Sequence, residues 1–527
     1  MLGSVDSNTI QSTEDINPAN GEIVGRVVDT DLSNFAQRMG IARKAQAHWA
    51  SQSFKTRAKH VEKMQRYIVE HADELATIIG RSNGKTRTDA MATEVLPSAL
   101  SCQWYAKHAA KVLAPKARKI DSILFFNKRT QMQHLPLGVV GIISPWNYPL
   151  SIPFGEVVMG LMAGNAVILK SAAATLSVGQ AIDKIVAAGE LPDGLFQQVY
   201  GSGGAVSEAM LSHGIDKLFF TGSVGVGKQL MAKAAETLTP VSLELGGNDP
   251  MIVLEDADLE RAANGAIWAG FQNAGQSCGG VERIYVHEAV YQPFLMRLIE
   301  KTKALRHGYR DDHGIDIGSV TTAGQLRTIE SHVQEALEKG AQIAARSTPS
   351  GEQNGYFFPA TVMVNTTANM RLIQEETFGP VLPVMHFHHI DEAIDMANQS
   401  DLALTSSVWT KDLKKGKAIA ARLQTGVTTI NDHLYTHGLS EMPWGGWKQS
   451  GIGRTHGPEG LLEMTHIKAI NWDILPGKRN LWWHPFDEQT YQALHHAMQF
   501  VFAPSLMRRL NAGIRLAPVL LRKMFKG

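Results

Sequence analysis

"KLFFTGSVGVGKQLMAKAAETL", residues 217–238, decides the architecture of this chain. A short apolar run from Lys217 to Thr221 has the character of a buried strand, a glycine-rich turn follows, and an Ala- and Lys-rich helical segment closes the unit. Backbone N–H groups at the start of such a helix can cradle a phosphate. Gly222, Gly227 and Lys228 nearly complete a triphosphate-binding loop, but Gln229 stands where Ser or Thr would ligate Mg²⁺. The order Gly222, Gly225, Gly227 also differs from the usual dinucleotide fingerprint. A phosphate cradle and a plain tight strand–helix turn both remain open at this point.

The same strand–helix alternation extends on both sides. "GVVGII" (138–143), "AVILK" (166–170), "FQQVY" (196–200) and "MIVL" (251–254) read as further buried strands, separated by helical segments such as "ATLSVGQAIDKIVAAG". That alternation predicts a doubly wound parallel sheet in the α/β class. A second alternating stretch, about 257–430, predicts another α/β domain. Upstream, "NPANGE" (17–22) offers an Asn-Gly hairpin turn, and residues 32–113 carry the periodicity of a helical layer. "DSILFFNKRTQMQHL" predicts two strands turning at Asn127-Lys128.

Bulk composition narrows the function classes. With 527 residues the chain has room for two or three domains. Net charge of +1 with 19% charged residues gives no basic excess for nucleic acid. Cys102 and Cys278 are the only cysteines, so no disulfide framework exists and a reducing compartment is expected. The polar, acidic N-terminus is unlike a targeting peptide, and no apolar run approaches the roughly 20 residues that span a bilayer. A cytoplasmic globular protein is the expectation.

Four features bear on chemistry. Cys278 lies in "FQNAGQSCGG" (271–280), a polar, glycine-rich setting that suits a nucleophile needing N–H groups and a flexible approach, though a structural loop cysteine fits as well. Glu244, in "VSLELGGNDP", ends an apolar run; it is either salt-bridged or a desolvated base. Asn147, in "IISPWNYP", is an amide in a stiff segment, an oxyanion donor or an ordinary turn residue. "HFHH" (386–389) reads as an ordinary strand and not a metal site, and Cys102 as a buried helix residue.

The ordered set "SPWNYP", "FTGSVGVG", "LELGG", "FQNAGQSC", "EETFGP" (375–380), "TGVTTIN" (425–431) and "PWGGWKQSGIGR" (443–454) resembles the aldehyde dehydrogenase superfamily. The likeness covers about residues 15–475 and includes the 34-residue interval between Glu244 and Cys278. It implies two doubly wound α/β domains and a small β oligomerisation arm. The cofactor-binding domain would comprise 1–118 and 136–245, and the catalytic domain 246–448. Segments 119–135 and 449–475 would bridge subunits in a homodimer or homotetramer, and 476–527 would be a C-terminal extension.

By the same likeness, Cys278 would attack an aldehyde to form a thiohemiacetal, Asn147 and the Cys278 N–H would hold the oxyanion, and Glu244 would activate water against the resulting thioester. NAD or NADP would be held by Trp146, Lys170, Gly222, Ser223, Gly227, Glu376 and Phe378. Tyr148 and Tyr435 would line the aldehyde tunnel. Where many relatives carry a ribose-binding glutamate three residues after the lysine, this chain has Ala173, which removes a Coulomb penalty against the NADP 2′-phosphate. Trp444 replaces a usual Phe and should narrow whatever it packs against. Glu244 favours hydrolysis to a free acid over the rival coenzyme A-acylating semialdehyde chemistry; a non-catalytic relative is the other rival.

The C-terminal end stands apart. No acidic residue follows Glu488, while Arg508, Arg509, Arg515, Arg522, Lys523 and Lys526 mingle with Leu and Phe. This basic amphipathic segment, 489–527, reads either as a helix packed on protein or as one lying on an anionic membrane surface.

Overall fold

The computed structural model describes residues 12–310 and 313–525. The chain divides into two units. One holds the residues up to Val112 with Pro136–Thr465; the other holds Leu113–Leu135 with the residues from His466 onward.

The first unit is built on two mainly parallel sheets. In the six-stranded sheet the order is Gly451–Ile452, Val241–Glu244, Lys217–Thr221, Val139–Ile143, Ala166–Lys170, Phe196–Val199. All neighbours run parallel except the Gly451–Ile452 edge, which pairs antiparallel with Leu243 and Glu244. The central strands are buried at every position, which is why they read as unbroken apolar runs and not as alternating ones. Parallel pairing puts Ile143, Lys170, Thr221 and Glu244 at one edge, the carboxyl end where α/β sheets bind ligands.

The seven-stranded sheet has the order Gln342–Arg346, Thr361–Val364, Val381–Phe387, Val281–His287, Asp249–Val253, Thr405–Trp409, Val427–Ile430. Around the first sheet lies the expected helical layer, including Phe35–Ala50, Phe54–Glu70, Ala72–Asn83 and Leu96–Val112. The opening hairpin pairs Ser12–Ile16 with Ile23–Val28 across the Asn-Gly turn.

Both sheets fall within one unit, which runs on to Thr465. Gly451–Ile452 is the reason: it closes the six-stranded sheet beside Glu244.

In the second unit the sheet order is Thr465–Asp473, Lys128–Pro136, Lys116–Arg118. The sequence reading misplaced the hairpin. Ile123–Phe125 forms a single 3₁₀ turn, and the strand partner of Lys128–Pro136 is Lys116–Arg118 further upstream. Packing decides this, because Leu124 is drawn onto the cluster of Leu481, Ala493, Ala497 and Leu516. Two helices, Glu488–Phe502 and Leu506–Phe525, pack on each other in this unit.

Candidate active site

Cys278 follows the Leu259–Phe271 helix and precedes the Val281–His287 strand. Between helix and thiol the backbone makes a left-handed passage, with φ of 53° at Asn273, 52° at Ala274 and 71° at Gly275. A side chain at Gly275 would collide with the Gly379 carbonyl carbon at 2.2 Å, so the tight approach needs glycine. Contrary to the flexible approach expected of it, the loop is buried and pinned. The Asn273 N–H donates to Asp89, and the Asn273 side-chain amide donates to the carbonyls of Asn147 at 2.9 Å and Gln276 at 3.1 Å.

Asn147 is fixed from several directions. Its own Nδ2 donates to the Gln276 carbonyl at 3.1 Å, and its backbone carbonyl accepts from Lys85 Nζ at 2.8 Å. Lys85 also pairs with Glu94 at 2.7 Å, both side chains fully buried, and Glu94 in turn accepts the N–H groups of Leu150 and Ser151. This buried pair clamps the "WNYP" turn to the helical layer.

Glu244 ends its strand at the sheet's carboxyl edge, and its Oε2 has no hydrogen-bond partner among the described residues. Burial and the nearby Glu156 carboxylate push its pKa well above the ordinary carboxylate value, against a smaller pull from Arg454. Among the described residues Glu244 makes no salt bridge, and its carboxyl is desolvated. Burial also raises Cys278, with Glu376, Asp249 and Glu244 adding negative charge around it, so the chain alone favours the thiol.

Two cavities meet at Cys278. The first, of about 750 Å³, is lined by Trp146, Asn147, Gly222, Ser223, Glu376, Phe378 and Cys278 among others. The second is small and holds Glu244, Glu156, Ile152, Met159, His437, Trp444 and Cys278.

The glycines of "LELGG" make the meeting possible. A Cβ on Gly246 would lie 2.2 Å from the Glu376 carboxylate, and one on Gly247 would lie 2.0 Å from the Cys278 carbonyl oxygen. Glu376 accepts the Gly247 N–H at 3.0 Å, and Trp146 meets Phe378 edge-on at 5.5 Å between ring centres.

The aldehyde dehydrogenase family model matches residues 4–470. This chain belongs to the aldehyde dehydrogenase family. It is 36% identical over 494 residues to a 4,4′-diapolycopene aldehyde oxidase of Methylomonas sp, covering 93% of this chain and 92% of that one. A putative NADP⁺ succinate-semialdehyde dehydrogenase of Mycolicibacterium smegmatis is 36% identical, over 81% of this chain and 82% of its own length. The NAD⁺ complex of an aldehyde dehydrogenase from Bacillus cereus superposes with a TM-score of 0.82 at 32% identity, covering 88% of this chain and 94% of that one. Members of this family are oxidoreductases acting on aldehydes, and this chain is one of them.

Within this aldehyde dehydrogenase most of the expected site residues converge, but not all. Lys170 ends a strand of the same sheet edge and Ala173 lies in the turn after it, and neither lines the 750 Å³ cavity; nor does Gly227, which packs on Leu245. Ser223 lines the cavity and caps the Val224–Ala235 helix without a side-chain cap bond and with no acidic residue in the first turn, a helix start of the kind that accepts a phosphate. A Cβ at Gly222 would fall 2.5 Å from the Phe220 ring. These features fit a dinucleotide.

Tyr148 and Tyr435 line a third cavity, with Leu96, Leu100, Trp268, Leu434 and His437. Tyr148 is buried, donates to Gln272 at 2.6 Å, and tilts its ring against His437 at 5.3 Å between centres. Trp444 lies against Gly279, where a Cβ would meet its ring at 2.7 Å, so it narrows the space beside Cys278 itself.

Sequence reasoning missed Glu156, Lys85, Glu94 and Asp249. Asp249 lies in "VSLELGGNDP" but draws no notice beside Glu244, and the other three sit in no recognisable motif; Glu156 is one carboxylate in an apolar helix, and only its unpartnered Oε2 in a buried cavity marks it. "HFHH" is part strand, Val381–Phe387, with His388 paired to Glu288, and Cys102 is buried in its helix.

Proposed function

We propose that this chain oxidises an aldehyde to a free carboxylic acid through a thioester on Cys278, using NAD or NADP. One observation carries the reading: Cys278 forms a wall common to the cavity of Asn147, Ser223 and Glu376 and to the cavity of Glu244. The Cys278 sulfur adds to the carbonyl carbon, and the Asn147 amide, held by its carbonyl to Lys85 and Asn273, donates to the developing oxyanion. Ser223 and the helix N-terminus behind it would take the pyrophosphate, and Glu376, tied to the Gly247 N–H, a ribose. A bound oxidised nicotinamide dinucleotide would supply the hydride acceptor. Glu244, whose pKa burial and the Glu156 carboxylate raise well above the ordinary carboxylate value, takes a proton from the water that cleaves the thioester.

NADP is admitted because Ala173 leaves no carboxylate at that position to repel a 2′-phosphate. The exposed sheet of Thr465–Asp473, Lys128–Pro136 and Lys116–Arg118 supports pairing of copies into a dimer or tetramer.

The test is reduced-cofactor formation with an aldehyde and NAD or NADP. Cys278→Ala should lower it by about 10⁴-fold or more; full activity in that variant overturns the reading. Added coenzyme A should leave the product a free acid; an acyl-coenzyme A product would favour the acylating alternative.

A further inference from the structure

The cavity lined by Tyr148 and Tyr435 has a chemistry of its own. Its walls come from Ala92–Leu100, Trp268–Gln272 and Leu434–Leu439, and none of its lining side chains is an acid, a lysine or an arginine. His437, the wall it shares with the Cys278–Glu244 cavity, is kept neutral: burial, His456 and Lys85 push its pKa down to about 3. Lys85 Nζ lies 4.3 Å from the Tyr148 ring centre, but its ammonium is committed to Glu94 and the Asn147 carbonyl. Asp89, buried and accepting the Asn273 N–H, adds a carboxyl that acts on Tyr148. A carboxylate entering here would lose its water and find no cation to replace it. At the rim Leu96, Leu100, Trp268 and Tyr435 are exposed, so apolar surface continues to the opening.

We infer that the aldehyde taken by this site is an uncharged, extended apolar one, in contrast to the ω-carboxy aldehyde in the name of one relative. The inference rests on the proposed function of Cys278. Its test compares kcat/KM for decanal, propanal and succinate semialdehyde with the intact enzyme. Decanal should exceed succinate semialdehyde by at least about a hundredfold, a difference of about 2.7 kcal/mol. Leu100→Arg, which places a cation at the exposed rim, should narrow that ratio at least tenfold by raising the semialdehyde rate. Succinate semialdehyde equal to or better than decanal, with propanal oxidised, overturns the substrate class alone. No reduced cofactor from any of the three overturns the reading of the site as well.

A separate observation concerns the second unit. The Glu488–Phe502 and Leu506–Phe525 helices bury Ala493, Ala497, Ala512 and Leu516. Each carries a second apolar stripe pointing away from that packing: Tyr491, Met498 and Phe502 on one, Leu510, Ile514 and Leu521 on the other, all exposed. Arg508, Arg515 and Arg522 flank the latter stripe, and no acidic residue lies beyond Glu488 to neutralise them. An exposed apolar stripe beside a row of cations complements one surface, an anionic lipid bilayer. No helix among the described residues is long and apolar enough to cross a membrane, so the contact is interfacial.

We propose that this outward face docks on anionic lipid. The full chain should float with phosphatidylglycerol–phosphatidylcholine vesicles and less with phosphatidylcholine alone. Leu510→Asp/Ile514→Asp and Arg508→Glu/Arg515→Glu should each lose flotation while oxidising propanal in solution at the parent rate. Failure to float with the anionic vesicles overturns the proposal. So does a halved solution mass in the Leu510→Asp/Ile514→Asp protein, which would show the face to be covered by a second copy.

Discussion

The cavity that Cys278 shares with Ser223 and the cavity of Tyr148, which reaches the thiol's surroundings through His437, follow different rules. The side with Trp146, Ser223 and Glu376 is built from the carboxyl ends of parallel strands and the turns that follow them. Its glycines are there because backbone, carboxylate and thiol loop crowd within 2–3 Å of where a Cβ would sit. The side with Tyr148, Leu100 and Trp268 is assembled from helix faces and one late loop, with ordinary apolar residues and a neutral histidine. Shared chemistry imposes fixed residues on the first; the second only has to exclude charge and water, which many side chains do equally well.

That contrast can be broken by substitution. Glu244→Gln should give the largest change, lowering steady-state turnover by on the order of 10³-fold while leaving a single-turnover burst of reduced cofactor; a lost burst would place Glu244 before deacylation. Asn147→Ala comes next, at about 3 kcal/mol in the barrier or on the order of a hundredfold in kcat, read by steady-state kinetics. Ala173→Glu should be smaller and confined to one cofactor: roughly a tenfold loss in kcat/KM with NADP, about 1.4 kcal/mol, with NAD unaffected.

Glu156→Gln should be the mildest at neutral pH and the most informative. Glu156, raised by burial to about 8, holds Glu244 up as a like charge. Removing it lowers the Glu244 pKa, so the acid limb of kcat should move to lower pH. Stability follows with a definite sign. A carboxyl whose folded pKa is raised destabilises the fold as pH climbs from about 4.5 to about 8. The parent's Tm should therefore fall across that window by more than the Glu156→Gln protein's. An unchanged pH profile would separate the two carboxylates.

The sequence showed the first side well, because strand runs such as 166–170 and 217–221 are buried on both faces and each motif ends at a turn whose geometry tolerates few residues. Asn147, Ser223, Glu244, Cys278, Glu376 and Phe378 all line one or other of the two cavities that share Cys278. What stayed hidden acts at a distance in the chain. Lys85 and Glu94 reach the Asn147 turn from the helical layer, Asp249 underlies Cys278 from another strand, and Glu156 is set by one position in an apolar helix. The hairpin near 127 went wrong for a similar reason: Ile123–Phe125 has strand-like residues, but tertiary packing on Leu481 and Leu516 turns it into a 3₁₀ bend.

Intact-protein and peptide mass analysis of the Glu244→Gln enzyme, quenched after one turnover with decanal and NADP, tests the central claim most directly. The account predicts one acyl group per chain, located on the peptide that carries Cys278. Oxidation of decanal with no acyl mass on Cys278 at any quench time would contradict it.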